Sequence, residues 1–258
     1  MTDLFYLSHN FDLKLFSIFI LLIITLIAGY IPFHRHLRSN KNHELPLMTG
    51  FAQGVFIGAG LIHMLGDASG QFIQEGYLYP WAFLIAGLVF LCLFIFEQLS
   101  EISSMALLGT LMLSIHSLLE GSALGLSDNL LMTSLILIAI LAHKWAASFA
   151  LSIEINKSPY LLSSRIFLFL IFALMTPLGI LIGTEIHQSL NTNHTSFLEP
   201  CFNSMAAGTF IYLGISHGLH QSQKSKKTHQ PQAIKTNFGY LSFILLGFGI
   251  MALVAIWA

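Results

Sequence analysis

The chain has 258 residues, 55% of them hydrophobic and 9% charged, with a formal net charge of −1 and a mean hydropathy of +0.75. A soluble domain carries roughly 25% charged residues; this composition excludes a water-covered domain of the same size and leaves an integral membrane protein whose surroundings are the lipid bilayer. The near-neutral balance offers no basic footprint, so no nucleic-acid partner is expected, and the two cysteines, Cys92 and Cys201, make no disulfide framework.

Taken in order, the chain opens with Asp3 and Asp12 ahead of its first apolar run. It shows neither a basic n-region nor a small-residue cleavage site, so no cleavable signal peptide is expected. Eight spans are predicted, at about 13–33, 48–68, 80–99, 104–126, 129–152, 161–185, 199–219 and 238–257, each near the length that crosses a bilayer core. The links are short. The expected fold class is therefore an all-α integral membrane protein of eight transmembrane helices, with residues 1–258 forming one polytopic domain.

Basic residues orient the spans. Arg35, Arg38 and Lys41 follow span one; Lys157 and Arg165 lie between spans five and six; Lys224, Lys226, Lys227 and Lys235 follow span seven. With eight spans these segments share one side, and the opposite side has Lys14 alone. The basic loops are expected in the cytoplasm and both termini outside, in a plasma or inner membrane. Lys144 falls inside a span.

Small residues recur at four-residue spacing: Gly50, Gly54 and Gly58, then Gly121/Gly125, Gly179/Gly183 and Gly214/Gly218. In lipid such stripes let helix backbones approach closely. Pro177 is expected to kink span six and free a carbonyl. Span two, Gly54 to Leu65, and span seven, Gly208 to Leu219, share Gly, Phe, Ile, Gly, His and Leu at matching places. By the charge pattern the two spans run in opposite directions. This predicts an inverted repeat of helices 1–3 and 6–8 around a central helix 4–5 pair, as in transporters whose substrate sits near the midplane.

Span four carries His116, Ser117 and Glu120; span five carries His143 and Lys144. His116 and Glu120 share one helix face at i and i+4. An ionisable group at this depth costs about 2.5–3.5 kcal/mol on insertion scales and is by default functional; the plainer alternative is polar glue between helices. The turn near Ser127–Asn129 makes spans four and five antiparallel neighbours. Counting back from it at ~1.5 Å per residue, His116 and His143 differ in depth by only about 4–5 Å. Two imidazoles and one carboxylate at one level suit Zn²⁺ with a fourth position open, and other divalent metals as well. His63 and Asp67 in span two, and His217 in span seven, are candidate stations on an ion path or ordinary interfacial residues. Lys144 is expected to pair with Glu120 or to replace a second cation.

These residues carry a resemblance. His116-Ser-Leu-Leu-Glu120-Gly121 resembles the fourth-helix signature of the ZIP (Zrt/Irt-like) metal transporters. His143-Lys144 with Ala147-Ser148 resembles the fifth-helix signature of the branch with His-Lys. His63-Met-Leu-Gly-Asp67-Ala68, Thr176-Pro177-Leu-Gly179 and Ala207-Gly208-Thr209-Phe-Ile-Tyr212 are similar to further family motifs. The resemblance implies eight spans, both termini outside, and transport of a divalent metal, commonly zinc, toward the cytoplasm. It makes His116, Glu120 and His143 the transport-site ligands, with the metal as cargo and no cofactor. Ser117, Lys144, Ala147 and Thr176 stand where many members carry second-metal ligands, which implies one metal, with Lys144 in place of the other. His217 stands where a Glu is usual, and the long His-rich loop between helices three and four is absent.

A competing reading is an intramembrane zinc hydrolase, since a three-ligand open site serves that chemistry too. No HExxH occurs and no evident general base accompanies the ligands. The sequence leaves the oligomeric state open, a homodimer included.

Overall fold

The computed structural model describes residues 2–34, 44–100, 104–189, 192–226 and 233–256. All regular structure among them is helical. Helix α1 is Thr2–His34. α2 is one rod in three parts, Glu44–Gly58, a π-helical stretch Ala59–Met64, and Leu65–Gln74. Then come α3 (Trp81–Leu99), α4 (Met105–Leu126), α5 (Leu130–Lys157), α6 (Leu162–Ser189), α7 (Thr192–Lys226) and α8 (Ala233–Val254). Six of these, α1 to α6, are long and apolar enough to cross a membrane, and α8 adds a shorter apolar stretch, Phe238–Val254. The described part of α7 turns Asn203, Ser204 and Thr209 into the protein.

Local signals account for the helix ends. Asn129 Oδ1 accepts from the Leu131 N–H at 2.8 Å and starts α5, and Ser104 caps the start of α4; each satisfies an otherwise orphaned donor. The Ser127–Asn129 turn joins the two, and α1 holds it in place. Asn10 Nδ2 donates to the Ser127 carbonyl at 3.2 Å and Lys14 Nζ to the Gly125 carbonyl at 2.7 Å. Lys14 is thus a buried cap on the carbonyl end of α4, where a cation is favoured by the helix dipole.

Burial ranks the helices. In α4, 78% of the apolar window is buried, against 17% in α3, so α4 is central and α3 is peripheral. Packing sorts the rods into two groups. α4 lies on α6, α1 on α5, and α1 on α6; separately, α2 lies on α8, α3 on α7, and α2 on α7. The groups meet chiefly where α4 packs on α7.

The glycine stripes are the tightest joints. Gly121 and Gly125 of α4 meet Gly179 and Gly183 of α6 so closely that a Cβ on any of them falls on a backbone carbonyl of the facing helix. Gly54 packs on the backbone of α8, and Gly208 on that of α3. Gly60 of α2 meets Ile211 of α7, and Gly214 of α7 meets Ile57 of α2. Between them the Phe56 and Phe210 rings lie 5.0 Å apart. α6 remains one helix through Pro177. Cys92 and Cys201 are both free.

Overpacking a tight joint costs about 1–3 kcal/mol, more where backbone must move. Gly183→Ala should lower the melting temperature of the purified protein by several degrees. Gly249→Ala, where an added Cβ meets nothing within 4 Å, should leave it unchanged. Equal melting of both variants would contradict the packing described.

Candidate metal site

His116 and Glu120 lie on one face of α4, and the antiparallel α5 brings His143 to the same level. One ligand atom from each of the three lies within 4.8 Å of the others. All three side chains are buried, at 1%, 1% and 0% exposure. His116 Nε2 is 3.7 Å from Glu120 Oε1, and His143 Nε2 is in direct hydrogen-bond contact with that same oxygen. Among the described residues, His116 Nε2, Glu120 Oε2 and His143 Nδ1 are buried without a hydrogen-bond partner. Buried polar atoms are normally paired; here the free ones belong to a set of nitrogen and oxygen donors suited to a borderline divalent cation.

The surroundings orient these donors. His116 Nδ1 lies 3.1 Å from the Ala206 carbonyl and 2.8 Å from Thr209 Oγ1, both on α7. The Phe210 ring stacks on the His116 imidazole at 3.5 Å between centroids and 14° between planes, and presents its edge to His143 at 5.0 Å. A metal would take over the His143–Glu120 contact, so the His143 proton facing Glu120 must shift to the free Nδ1 or leave.

Lys144 is 1% exposed. Its Nζ donates to Ser117 Oγ at 2.7 Å and to Thr176 Oγ1 at 2.5 Å, and lies 3.9 Å from Glu120 Oε2. The Phe172 ring lies 4.8 Å below it, within cation–π range. The expected pairing with Glu120 is therefore present, but the ammonium is held by two hydroxyls from α4 and α6. Ser117 serves as its acceptor.

His63 and Asp67 pair across one turn of α2, Nδ1 to Oδ2 at 2.7 Å. They form a pair apart from the three-residue cluster, with His63 buried in the π-helical stretch and Asp67 more exposed. The His217 side chain lies outside the described part of the structure, as do residues 35–43, with Arg35, Arg38 and Lys41, and the side chains of the basic residues at 224–235. Thr209, Phe210 and the Ala206 carbonyl escape sequence reasoning as neighbours of the site. Thr209 falls within a recognisable motif, but nothing in that motif says that it faces His116, 93 positions away.

The fold and the cluster define a multi-pass helical membrane protein in which two imidazoles and a carboxylate converge in the buried interior, a donor set of the kind that suits a divalent metal ion. The family model for the ZIP zinc transporter matches residues 97–255. The chain is 25% identical to zinc transporter ZIP2 of Mus musculus, over 95% of this chain and 98% of that one. It is 28% identical to zinc transporter 1 of Oryza sativa subsp. japonica, over 95% and 83%, and 38% identical to protein zntD of Dictyostelium discoideum, over 56% and 20%. The chain belongs to the ZIP family. Members of that family are transporters, so this protein is a transporter and not an intramembrane hydrolase.

Leaving a buried ammonium without acceptors costs more than the ~1–3 kcal/mol of a neutral orphan. Ser117→Ala with Thr176→Val should destabilise the protein sharply, and adding Lys144→Met should restore most of the loss. Thermal melting of the double and triple variants checks this. A triple variant no more stable than the double would show that the ammonium does not depend on those hydroxyls.

Proposed function

We propose that this chain carries a divalent metal, zinc first, toward the cytoplasm by alternating access, through one site formed by His116, Glu120 and His143. The observation that carries the reading is the convergence of those three buried donors within 4.8 Å. Residues 1–258 act as one polytopic transport domain of eight spans in a plasma or inner membrane. Both termini are outside and the basic loops cytoplasmic, as the distribution of Lys and Arg favours. His63, Asp67 and His217 serve the path on either side of the site.

An inverted repeat underlies the motion. If helices 1–3 correspond to 6–8 and helix 4 to helix 5, the packing pairs map onto one another: α4 on α6 with α1 on α5, and α2 on α8 with α3 on α7. The matched residues behave likewise. Gly54 and Gly208 close corresponding joints, and Gly60–Ile211 and Gly214–Ile57 are reciprocal. Phe56 and Phe210 occupy equivalent positions and meet each other, as residues beside a two-fold axis do. Both proposed ligand helices, α4 and α5, lie in the same group of four, which supports movement of that group against α2, α3, α7 and α8.

One metal is carried at a time, as suits the branch with His-Lys in its fifth helix. Lys144, bonded to Ser117 and Thr176, supplies a fixed positive charge in place of a second ion. That charge opposes the dication and so favours release.

Radiotracer zinc uptake in cells expressing the chain, with other divalent ions as competitors, tests the reading. Wild type should take up zinc, and His116→Ala should take up none while reaching the membrane in equal amount. Wild-type uptake by His116→Ala would overturn the site. Lys144→Asp should bind zinc more tightly, approach two ions per chain, and turn over more slowly. Unchanged stoichiometry, affinity and rate would remove Lys144 from the electrostatics of transport.

A further inference from the structure

Metal-bound imidazoles usually have the far ring nitrogen held by a second partner, which fixes the tautomer and the ring orientation. Of the two imidazoles here, His116 has one in place. Its Nδ1 lies 3.1 Å from the Ala206 carbonyl oxygen and 2.8 Å from Thr209 Oγ1. His143 Nδ1 is buried without a hydrogen-bond partner among the described residues.

The direction of these bonds is determined by counting hydrogens. A carbonyl oxygen can only accept. Thr209 Oγ1 lies 2.6 Å from the same Ala206 carbonyl, so its single hydroxyl hydrogen is committed there. Toward His116 the hydroxyl can then only accept. Both neighbours therefore require a hydrogen on Nδ1, and the neutral ring must leave Nε2 bare. Nε2 is the atom that is buried without a partner, facing Glu120 at 3.7 Å. Phe210, the next residue along, lies flat against the same ring at 3.5 Å and limits its tilt.

These contacts come from outside the proposed ligand-bearing group. His116 is on α4, whereas Ala206, Thr209 and Phe210 are on α7, and α4 on α7 is the main joint between the two groups of four. We infer that Thr209 is a positioning residue for the transported metal: with the Ala206 carbonyl it holds His116 as the Nδ1–H tautomer and aims Nε2 at the ion across that joint. The inference rests on His116 being a ligand. It assigns to α7, which contributes no donor to the three-residue cluster, a share in zinc affinity.

The test compares the purified full chain as wild type, Thr209→Val, Thr209→Ala, Thr209→Ser and His116→Ala. Zinc affinity is measured by competition with a chromophoric chelator, and uptake kinetics are measured in cells. Removing such an outer partner typically weakens metal binding about 10–100-fold. The Ala206 carbonyl remains in every variant, so Thr209→Val and Thr209→Ala should fall near the lower end, about tenfold. The KM for zinc should rise in step, the maximal uptake rate should not fall, and the zinc-free melting temperature should stay near wild type. Thr209→Ser, which keeps the hydroxyl, should bind as wild type does. Wild-type affinity in both Val and Ala variants overturns the inference, as does a Ser variant as weak as they are. If Val misfolds, the Ala and Ser pair decides alone. Full zinc binding by His116→Ala is a different result: it sinks His116 as a ligand before Thr209 is reached.

Discussion

A carboxylate held out of water in the middle of a membrane protein must be offset by opposite charge and hydrogen bonds. Glu120 meets that condition from three directions: His143 in direct contact, His116 one helical turn away, and the Lys144 ammonium at 3.9 Å. Each of these groups is in turn held elsewhere, His116 by α7 and Lys144 by Ser117 and Thr176. The polar centre therefore ties α4, α5, α6 and α7 together. Breaking one partner leaves a charge or a donor stranded where water does not reach.

That polar centre depends on tight apolar joints around it. α4 can present His116 and Glu120 inward only because its opposite stripe, Gly121 and Gly125, lets α6 lie against its backbone. The same approach carries Thr176 to Lys144. Asn10 and Lys14 hold the turn between α4 and α5, which sets the register of the two helices and so the relative depth of His116 and His143. Packing between glycines is short-ranged dispersion, so small displacements at these joints are felt at the site.

Much of this was legible in the sequence. The i, i+4 spacing of His116 and Glu120, and the shared depth of His143, follow from helix geometry and one short turn, and the structure brings these three residues together. The helix boundaries near Leu99 and Met105 agree with the expected break between spans three and four. The glycine stripes announced close joints, but period alone does not say which stripe meets which, so the α4–α6 and α2–α8 pairings were not readable. The partner of Lys14 was not readable because its acceptor, the Gly125 carbonyl, is a backbone group that carries no residue signature. Thr209 and Phe210 were unreadable as neighbours of His116 for the same reason: contacts between helices far apart in sequence depend on how rods are rotated about their axes. In α7 the buried Asn203, Ser204 and Thr209 turn toward neighbouring helices, an orientation that composition alone does not give.

The central claim is that two imidazoles and one carboxylate hold the transported ion together. X-ray absorption at the zinc edge on the purified, zinc-loaded chain reads that shell directly. The account predicts nitrogen and oxygen neighbours at about 2.0–2.2 Å and no sulfur, with outer scattering from two imidazoles. It further predicts the loss of one imidazole's worth of that scattering in His143→Ala, if that variant retains zinc at all. A sulfur shell at about 2.3 Å, which would point to Cys92 or Cys201, or an unchanged imidazole signal in His143→Ala, would contradict it.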